Sequence, residues 1–161
     1  MKRGVIVLLA ILGLADTQGS ANGARESTAI GFWFNKTQGW VVQTKSCDSG
    51  LCGYLVGFRK NNAPGHVARD RNSPDPEERD KPLCGLMLLG SFKPSKNEEG
   101  KWEGGWVYDP QTGSTYTGEA EMVDENTIKL RGYVVIPLFG RTLTLTREVG
   151  TINRCSVSAK E

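Results

Sequence analysis

The chain has 161 residues, a length that suits one domain and is too short for two of ordinary size. Its formal net charge is +2, with basic and acidic residues interspersed, so the sequence carries no basic stripe for nucleic acid. Glycine is abundant, at 20 residues, and together with short β-type segments it predicts tight turns in an all-β protein.

The first residues have the pattern of a secretory signal peptide. Lys2 and Arg3 precede a short apolar segment at 5–15, and small residues follow it. The apolar segment is too short to cross a membrane as a helix, so we expect residues 1–21 to be removed, or residues up to 24 if cleavage is later. This pattern predicts an exported protein without a membrane span, located in the periplasm or, alternatively, outside the cell.

Three segments that read as strands follow, at residues 31–34, 40–45 and 53–58. A long polar segment then begins at residue 59 and reaches Pro82 without hydrophobic periodicity. Long loops of this kind are usually functional or mobile. Within it Asp75 is placed to cap a helix and Pro76 to begin one, which predicts a single helical turn at 76–80.

The polar segment supplies a set of candidate residues at the barrel mouth: Asp70, Asn72, Asp75 and Arg79. These side chains either bind a polar group or hydrogen-bond the backbone of their own loop, as Asp and Asn commonly do in turns. The sequence favours the second role.

Strand patterns resume at residues 83–93, 101–109 and 114–123, and two more lie between 126 and 147. The last pair shows the clearest alternation. In its first strand one face carries four apolar residues and the other carries three polar or amphipathic ones: Ile128, Leu130, Val134 and Ile136 against Lys129, Arg131 and Tyr133. Period-two alternation with β-branched residues is typical of a half-buried antiparallel sheet.

These patterns give eight strands, joined mostly by short turns. Sequential antiparallel strands of that number close into an up-and-down barrel, which leaves no sheet edge exposed. We therefore predict one antiparallel barrel over residues 30–149 with a tail at 150–161. A two-sheet sandwich is the alternative.

Four cysteines form an even set suited to an oxidising compartment: Cys47, Cys52, Cys84 and Cys155. Cys47 and Cys52 flank a turn and would staple a hairpin, which leaves Cys84 to pin the tail through Cys155. Two other pairings remain open. The spacing is poor for zinc, so we predict no metal and no cofactor.

The sequence resembles lipocalins at two places. Gly31-Phe32-Trp33 has the G-x-W pattern that opens a lipocalin barrel, and Arg147 ends the last strand. The resemblance implies that Arg147 packs over Trp33 and closes one end of the barrel. A guanidinium over an indole is a favourable arrangement.

A second resemblance, to the bacterial exported family called domain of unknown function 2147, extends over residues 31–147. Its carriers include Gly31-Phe32-Trp33, Asn72-Ser73-Pro74-Asp75-Pro76, Trp102-Glu103-Gly104-Gly105, Tyr108-Asp109-Pro110, Arg131-Gly132-Tyr133 and Phe139-Gly140-Arg141-Thr142. The resemblance implies a lipocalin-like barrel of the bacterial envelope with no established activity. The chain departs from the pattern at Leu143 and Leu145, where the family has Gln and Trp. An interior position for both leucines would make this cavity more apolar.

We predict that the barrel interior binds a small, partly apolar or amphipathic molecule. The candidate ligand-binding residues are Trp33, Tyr116, Leu130, Val134, Leu143, Leu145, Arg131 and Arg141. The two arginines would hold an anionic group or pair with Asp109 or Asp70. A filled barrel that acts as a structural or interaction module is the alternative.

Catalysis has little support in the sequence. His66 has no nucleophile motif nearby, and no common hydrolase, metalloprotease or phosphate-loop motif is present. A hydrolase that uses the carboxylates of the polar segment, such as Asp70 with Asp75, is a third hypothesis. We predict a protein that is not an enzyme.

Overall fold

The computed structural model describes residues 28–59, 68–150 and 152–155. The predicted signal peptide and His66 lie outside these residues. Eight strands form the body of the fold: β1 (Gly31–Asn35), β2 (Trp40–Cys47), β3 (Gly50–Phe58), β4 (Met87–Pro94), β5 (Lys101–Asp109), β6 (Ser114–Asp124), β7 (Thr127–Tyr133) and β8 (Arg141–Arg147). A short β9 (Asn153–Arg154) and two single 3₁₀ turns, Pro76–Glu78 and Pro137–Phe139, complete the described elements.

Each of the eight strands pairs antiparallel with its neighbours in sequence, and β1 also pairs with β8. In that closing pair Trp33 lies opposite Arg147 and Asn35 lies opposite Leu145. The predicted eight-stranded up-and-down barrel is therefore confirmed. No helix in the described part of the chain is long and apolar enough to cross a membrane.

The strand directions place four connections at one end of the barrel and three, together with residues 28–30, at the other. The β1–β2 turn, the described residues between β3 and β4 (59 and 68–86), the β5–β6 turn and the β7–β8 loop (residues 134–140) meet at one end. We call this the open end. Residues 28–30 and the β2–β3, β4–β5 and β6–β7 connections meet at the other, the closed end.

Three strand boundaries differ from the sequence prediction by three residues or more, the first being that of β3, which begins at Gly50 rather than residue 53. β4 begins at Met87 rather than residue 83. The Leu83 and Gly85 amides donate to the carbonyls of Ala68 and Leu55, so this stretch does not pair with β5. β7 ends at Tyr133, three residues earlier than the alternation predicts. The backbone turns at Val135, where φ is +76°, and strand pairing cannot continue through that conformation.

A single aromatic ring fills the half of the barrel toward the closed end. Phe92 on β4 is fully buried. A Cβ atom at Gly105 or Gly118 would stand only 2.3 or 2.5 Å from its ring, so the two glycines leave the space that the ring occupies. Trp102 and Ile128 pack in the same core.

The closed end is sealed around Trp33, which has no exposed surface. Its indole N–H donates to the Ala29 carbonyl and the Thr44 hydroxyl, both at 3.0 Å. The Arg147 guanidinium lies 4.2 Å from the indole ring and donates to the carbonyls of Glu125, Thr28 and Ile30. The stacking and these hydrogen bonds join the end of β8 to the start of β1 and so close the barrel.

Two disulfides join the expected pairs, Cys47 with Cys52 and Cys84 with Cys155. The first bridges the β2–β3 hairpin, five residues apart. The second spans 71 residues and fixes the tail beside β3, where the Cys155 amide also donates to the Val56 carbonyl.

The two disulfides should differ in their contribution to stability because they close loops of different length. Replacing Cys84 and Cys155 by serine should lower the free energy of unfolding by about 4 kcal/mol, and the same change at Cys47 and Cys52 by about 2 kcal/mol. Denaturant unfolding of both double variants tests this. Equal losses would contradict the chain-entropy explanation.

Candidate functional site

A cavity of about 600 Å³ opens at the open end of the barrel. Its walls are lined by apolar side chains from five of the strands: Trp40, Val42, Leu88, Leu89, Val107, Leu130, Leu143 and Leu145. Most of them are buried in the fold, and Leu145 is only 3% exposed. The alternation of β7 and β8 directs Leu130, Leu143 and Leu145 to this interior, as predicted from their register.

Polar groups surround the mouth of the cavity. Asn35 is buried and is satisfied locally, since it donates to Gln38 Oε1 at 2.7 Å and accepts from the Thr37 and Gln38 amides. Other polar residues that reach the mouth are Asp109, Gln111, Thr112 and Arg141. The cavity therefore has an apolar interior and a polar rim.

One tyrosine joins the cavity wall to the polar segment. The Tyr108 hydroxyl lies 2.8 Å from both carboxylate oxygens of Asp70, whose side chain is buried. Burial, followed by the hydrogen bond to Asp70, raises the pKa of Tyr108 to about 12. The neutral phenol is thus held as a hydrogen-bond donor to a carboxylate, and Asp70 acts on the cavity only through Tyr108.

The remaining candidates of the polar segment hold the segment in place. Asn72 donates to the carbonyls of Pro110 and Gln111 in the β5–β6 turn. Asp75 caps the 3₁₀ turn at the Glu77 amide, and Arg79 donates to the Ser73 carbonyl at 2.9 Å. Neither these three side chains nor that of Asp70 lines the cavity. Asp75 and Arg79 bond the backbone of their own segment, whereas Asn72 and Asp70 tie it to β5 and the turn that follows.

The two candidate arginines do not come together. Arg141 reaches the cavity mouth. Arg131 points outward, because its neighbours Leu130 and Gly132 line the interior and successive strand residues alternate. Its guanidinium donates to the Pro137 carbonyl at 2.7 Å and to Thr142 Oγ1 at 2.9 Å, so it braces the β7–β8 loop from outside the barrel.

Three further candidates take different positions. Tyr116 lines the cavity wall. Val134 lies at the rim and is 64% exposed, because β7 has ended one residue earlier. Trp33 lies at the closed end, beyond the filled part of the core, and does not reach the cavity.

Several cavity residues were not identified from the sequence: Asn35, Trp40, Leu89, Val107 and Tyr108. Trp40 and Val42 are two residues apart on β2, so the period-two pattern could have predicted that both face the interior. The mouth position of Tyr108 depends on its contact with Asp70, which lies 38 residues away in sequence. No local pattern encodes such a contact.

The carboxylates of the hydrolase hypothesis are not brought together, and the described residues contain no group placed to hold a metal. No group of three or more His, Cys, Asp or Glu side chains within residues 28–59, 68–150 and 152–155 is placed to hold a metal ion. Asp70 and Asp75 are engaged separately, by Tyr108 and by the 3₁₀ turn.

The closed barrel with a cavity at one end defines a lipocalin-like protein. Its fold is similar to that of a protein from the human pathogen Helicobacter pylori described as belonging to the lipocalin family, with a TM-score of 0.64 and 17% identity over 74% of this chain and 82% of that one. The chain belongs to the family described as an uncharacterized protein conserved in bacteria, domain of unknown function 2147, which it matches over residues 31–147. No curated protein matches the sequence.

Tyr108 should make the fold sensitive to alkali. Its raised pKa means that its stabilising contribution is complete below pH 10 and is lost as the pH rises toward 12. Tyr108→Phe should reduce this alkaline loss, leaving the part that the raised pKa of the half-buried Tyr133 contributes. It should also cost about 1 to 3 kcal/mol at neutral pH because the buried Asp70 carboxylate loses its donor. Denaturant unfolding at pH 7 and between pH 10 and 12 tests both effects. The matched variant Tyr116→Phe leaves the Tyr108–Asp70 pair intact and should keep the alkaline loss.

The β7–β8 loop contains a strained residue. The Ile136 amide donates to the Val134 carbonyl at 3.1 Å, so Val135, with φ of +76°, is the centre of a γ-turn. This form of γ-turn is rare, and positive φ is unfavourable for a β-branched residue. Val135 is nevertheless 87% exposed, so no tertiary packing of its side chain offsets the strain.

Glycine should relieve this strain. Val135→Gly is expected to raise the free energy of unfolding by about 1 kcal/mol, because the relief exceeds the extra chain entropy of glycine. Val134→Gly, at a neighbour without positive φ, should lower it. Thermal unfolding of the two variants gives the comparison, and a loss of stability in Val135→Gly would contradict the strain argument.

Proposed function

We propose that this protein is exported to the bacterial periplasm and binds a small amphipathic molecule in the open half of its barrel. The observation that carries the proposal is the cavity of about 600 Å³ with apolar walls and a polar rim. Protein sites for small ligands commonly measure about 300 to 1,000 Å³ and combine apolar walls with a few polar groups. The volume therefore favours binding over the filled-barrel alternative.

The division of the barrel gives the orientation of the ligand. Phe92 and Trp33 occupy the core toward the closed end, so a ligand enters only from the open end. Its apolar part packs on Leu130, Leu143 and Leu145, while its polar group stays near Arg141. An arginine fork matches a carboxylate or phosphate in two parallel hydrogen bonds, and we expect an anionic headgroup.

Export is supported by the chemistry of the chain. Residues 1–21 have the pattern of a signal peptide, and two disulfides suit an oxidising compartment. Fractionation of the native host, with the N-terminus of the mature protein read by mass spectrometry, tests this step. A protein found in the cytoplasm with Met1 retained would overturn it.

Gly132 offers a direct way to block the cavity. A Cβ at Gly132 would meet Tyr116 at 3.4 Å, an ordinary contact, so a larger side chain there can extend into the cavity. Gly132→Leu should bind the amphipathic probe 1-anilinonaphthalene-8-sulfonate at least tenfold more weakly than the parent protein, with little loss of stability. Arg141→Gln should weaken binding of this anionic probe severalfold.

A matched glycine serves as the control. Gly118 pairs with Gly132 across β6 and β7, but its Cβ would clash with Phe92. Gly118→Ala should lower the free energy of unfolding by about 1 to 3 kcal/mol because the core is overpacked there.

Equal probe affinity in Gly132→Leu and the parent protein would overturn cavity binding. Native mass spectrometry of protein purified from its own host then identifies the natural ligand by its mass.

A further inference from the structure

The β7–β8 loop exposes a continuous apolar tip at the open end. Val135 is 87% exposed, Leu138 76% and Phe139 79%, and Val134 and Ile136 beside them are also exposed. Soluble proteins commonly show single exposed apolar residues, but a contiguous patch marks a binding surface. This is the largest cluster among the exposed large hydrophobic residues that the structure describes.

The tip is held out from the barrel by its own base. Arg131 donates to the carbonyls of Pro137 and Leu138, and the Gly140 amide donates to Pro137 at 2.9 Å. A side chain at Gly140 would crowd the Gly132 carbonyl at 2.8 Å, so the loop leaves the barrel through a tight passage. These contacts use the backbone of the loop, and its apolar side chains stay in solvent.

The charged residues within 134–142 and within the β1–β2 turn are all basic. Arg141 follows the loop directly and is exposed, and Lys36 is exposed on the β1–β2 turn, which borders the same cavity mouth. Neither residues 134–142 nor residues 35–39 contain an acidic residue. Of the acids near this end, Asp75 caps the 3₁₀ turn, and Glu78 and Asp80 are held in ion pairs. Asp109 also reaches the cavity mouth, where it accepts from the Gln111 amide and the Thr112 hydroxyl of its own turn.

We propose that this apolar tip inserts into the surface of an anionic lipid bilayer and docks the open end of the barrel there. An apolar projection flanked by cations fits the interface of such a bilayer, where apolar side chains enter the acyl boundary and cations meet the headgroups. A specific protein interface usually buries about 800 Å² per partner, more than a single loop of this length presents. The size and the charge both favour lipid over a second protein.

Docking would bring the cavity to the membrane. Phe139 belongs both to the exposed tip and to the lining of the cavity mouth. A barrel anchored through this loop has its mouth at the headgroup level, where amphipathic molecules are concentrated. This last step, that the ligand is taken from the bilayer, rests on the proposed cavity function, whereas docking does not.

The test is flotation of the mature protein with vesicles of phosphatidylcholine alone and of phosphatidylcholine with phosphatidylglycerol in a 7:3 ratio. The parent protein should float with the anionic vesicles, at least fivefold more than with the neutral ones, and 0.5 M NaCl should weaken this binding. Leu138→Asp and Val135→Gly should each reduce flotation at least fivefold. Val135→Gly is informative because it is expected to stabilise the fold, so a loss of docking cannot come from unfolding.

Two control variants separate docking through the tip from nonspecific adsorption and from cavity binding. Val149→Asp changes a residue that is equally exposed, at 89%, but lies on the tail beyond β8, and it should float like the parent protein. Gly132→Leu should also float normally, although it blocks the cavity. Leu138→Asp should keep its affinity for the soluble probe in the absence of vesicles.

Three results would overturn the docking proposal. The first is a parent protein that does not float with anionic vesicles, and the second is a Val149→Asp variant that loses as much binding as Leu138→Asp. The third is a dimer, detected by sedimentation, that Leu138→Asp dissociates, which would assign the tip to self-association. A protein that floats but never binds the soluble probe would retain the docking proposal and lose the cavity proposal.

Discussion

The ring of Phe92 determines how the inside of this barrel is used. It fills the space above Gly105 and Gly118, and a methyl group at either glycine would overlap it. An eight-stranded barrel is close to the size at which side chains alone can fill the interior. Here Phe92, with Trp33, Trp102 and Ile128 in the same core, occupies the half toward the closed end. The other half, where Gly132 faces Tyr116 with space between, stays open.

The two ends of the barrel also differ, one being closed by side chains and the other open to the cavity. At the closed end Arg147 and Trp33 join residues that are far apart in sequence, which fixes the register of β1 against β8. At the open end two of the connections are long, the one between β3 and β4 and the β7–β8 loop. Side chains hold them through backbone carbonyls, Asn72 at Pro110 and Arg131 at Pro137. Asp70, through Tyr108, ties the polar segment to the barrel wall. A rigid closed end therefore supports a mouth built from separate loops.

Much of the fold could be predicted from the sequence because period-two alternation is a local property. It identified the strands, the barrel and the inward positions of Leu143 and Leu145. The errors occur where local and tertiary effects compete. The pattern of β7 continues through Ile136, but the γ-turn at Val135 ends the strand first. Arg131 is attractive as an anion ligand by residue type, yet its place in the alternation directs it outward to the Pro137 carbonyl.

The short tail strand β9 covers an edge of β3 that β4 leaves unpaired. β3 is longer than the part of it that β4 covers, since the β3–β4 register ends at Tyr54 opposite Met87. Beyond that point Gly57 and Phe58 pair with β9, which Cys155 fastens to Cys84. An uncovered strand edge is a template for pairing with other chains. The Cys84–Cys155 disulfide therefore holds a cover over this part of the β3 edge, and a reduced chain would leave the edge open to pairing with other chains.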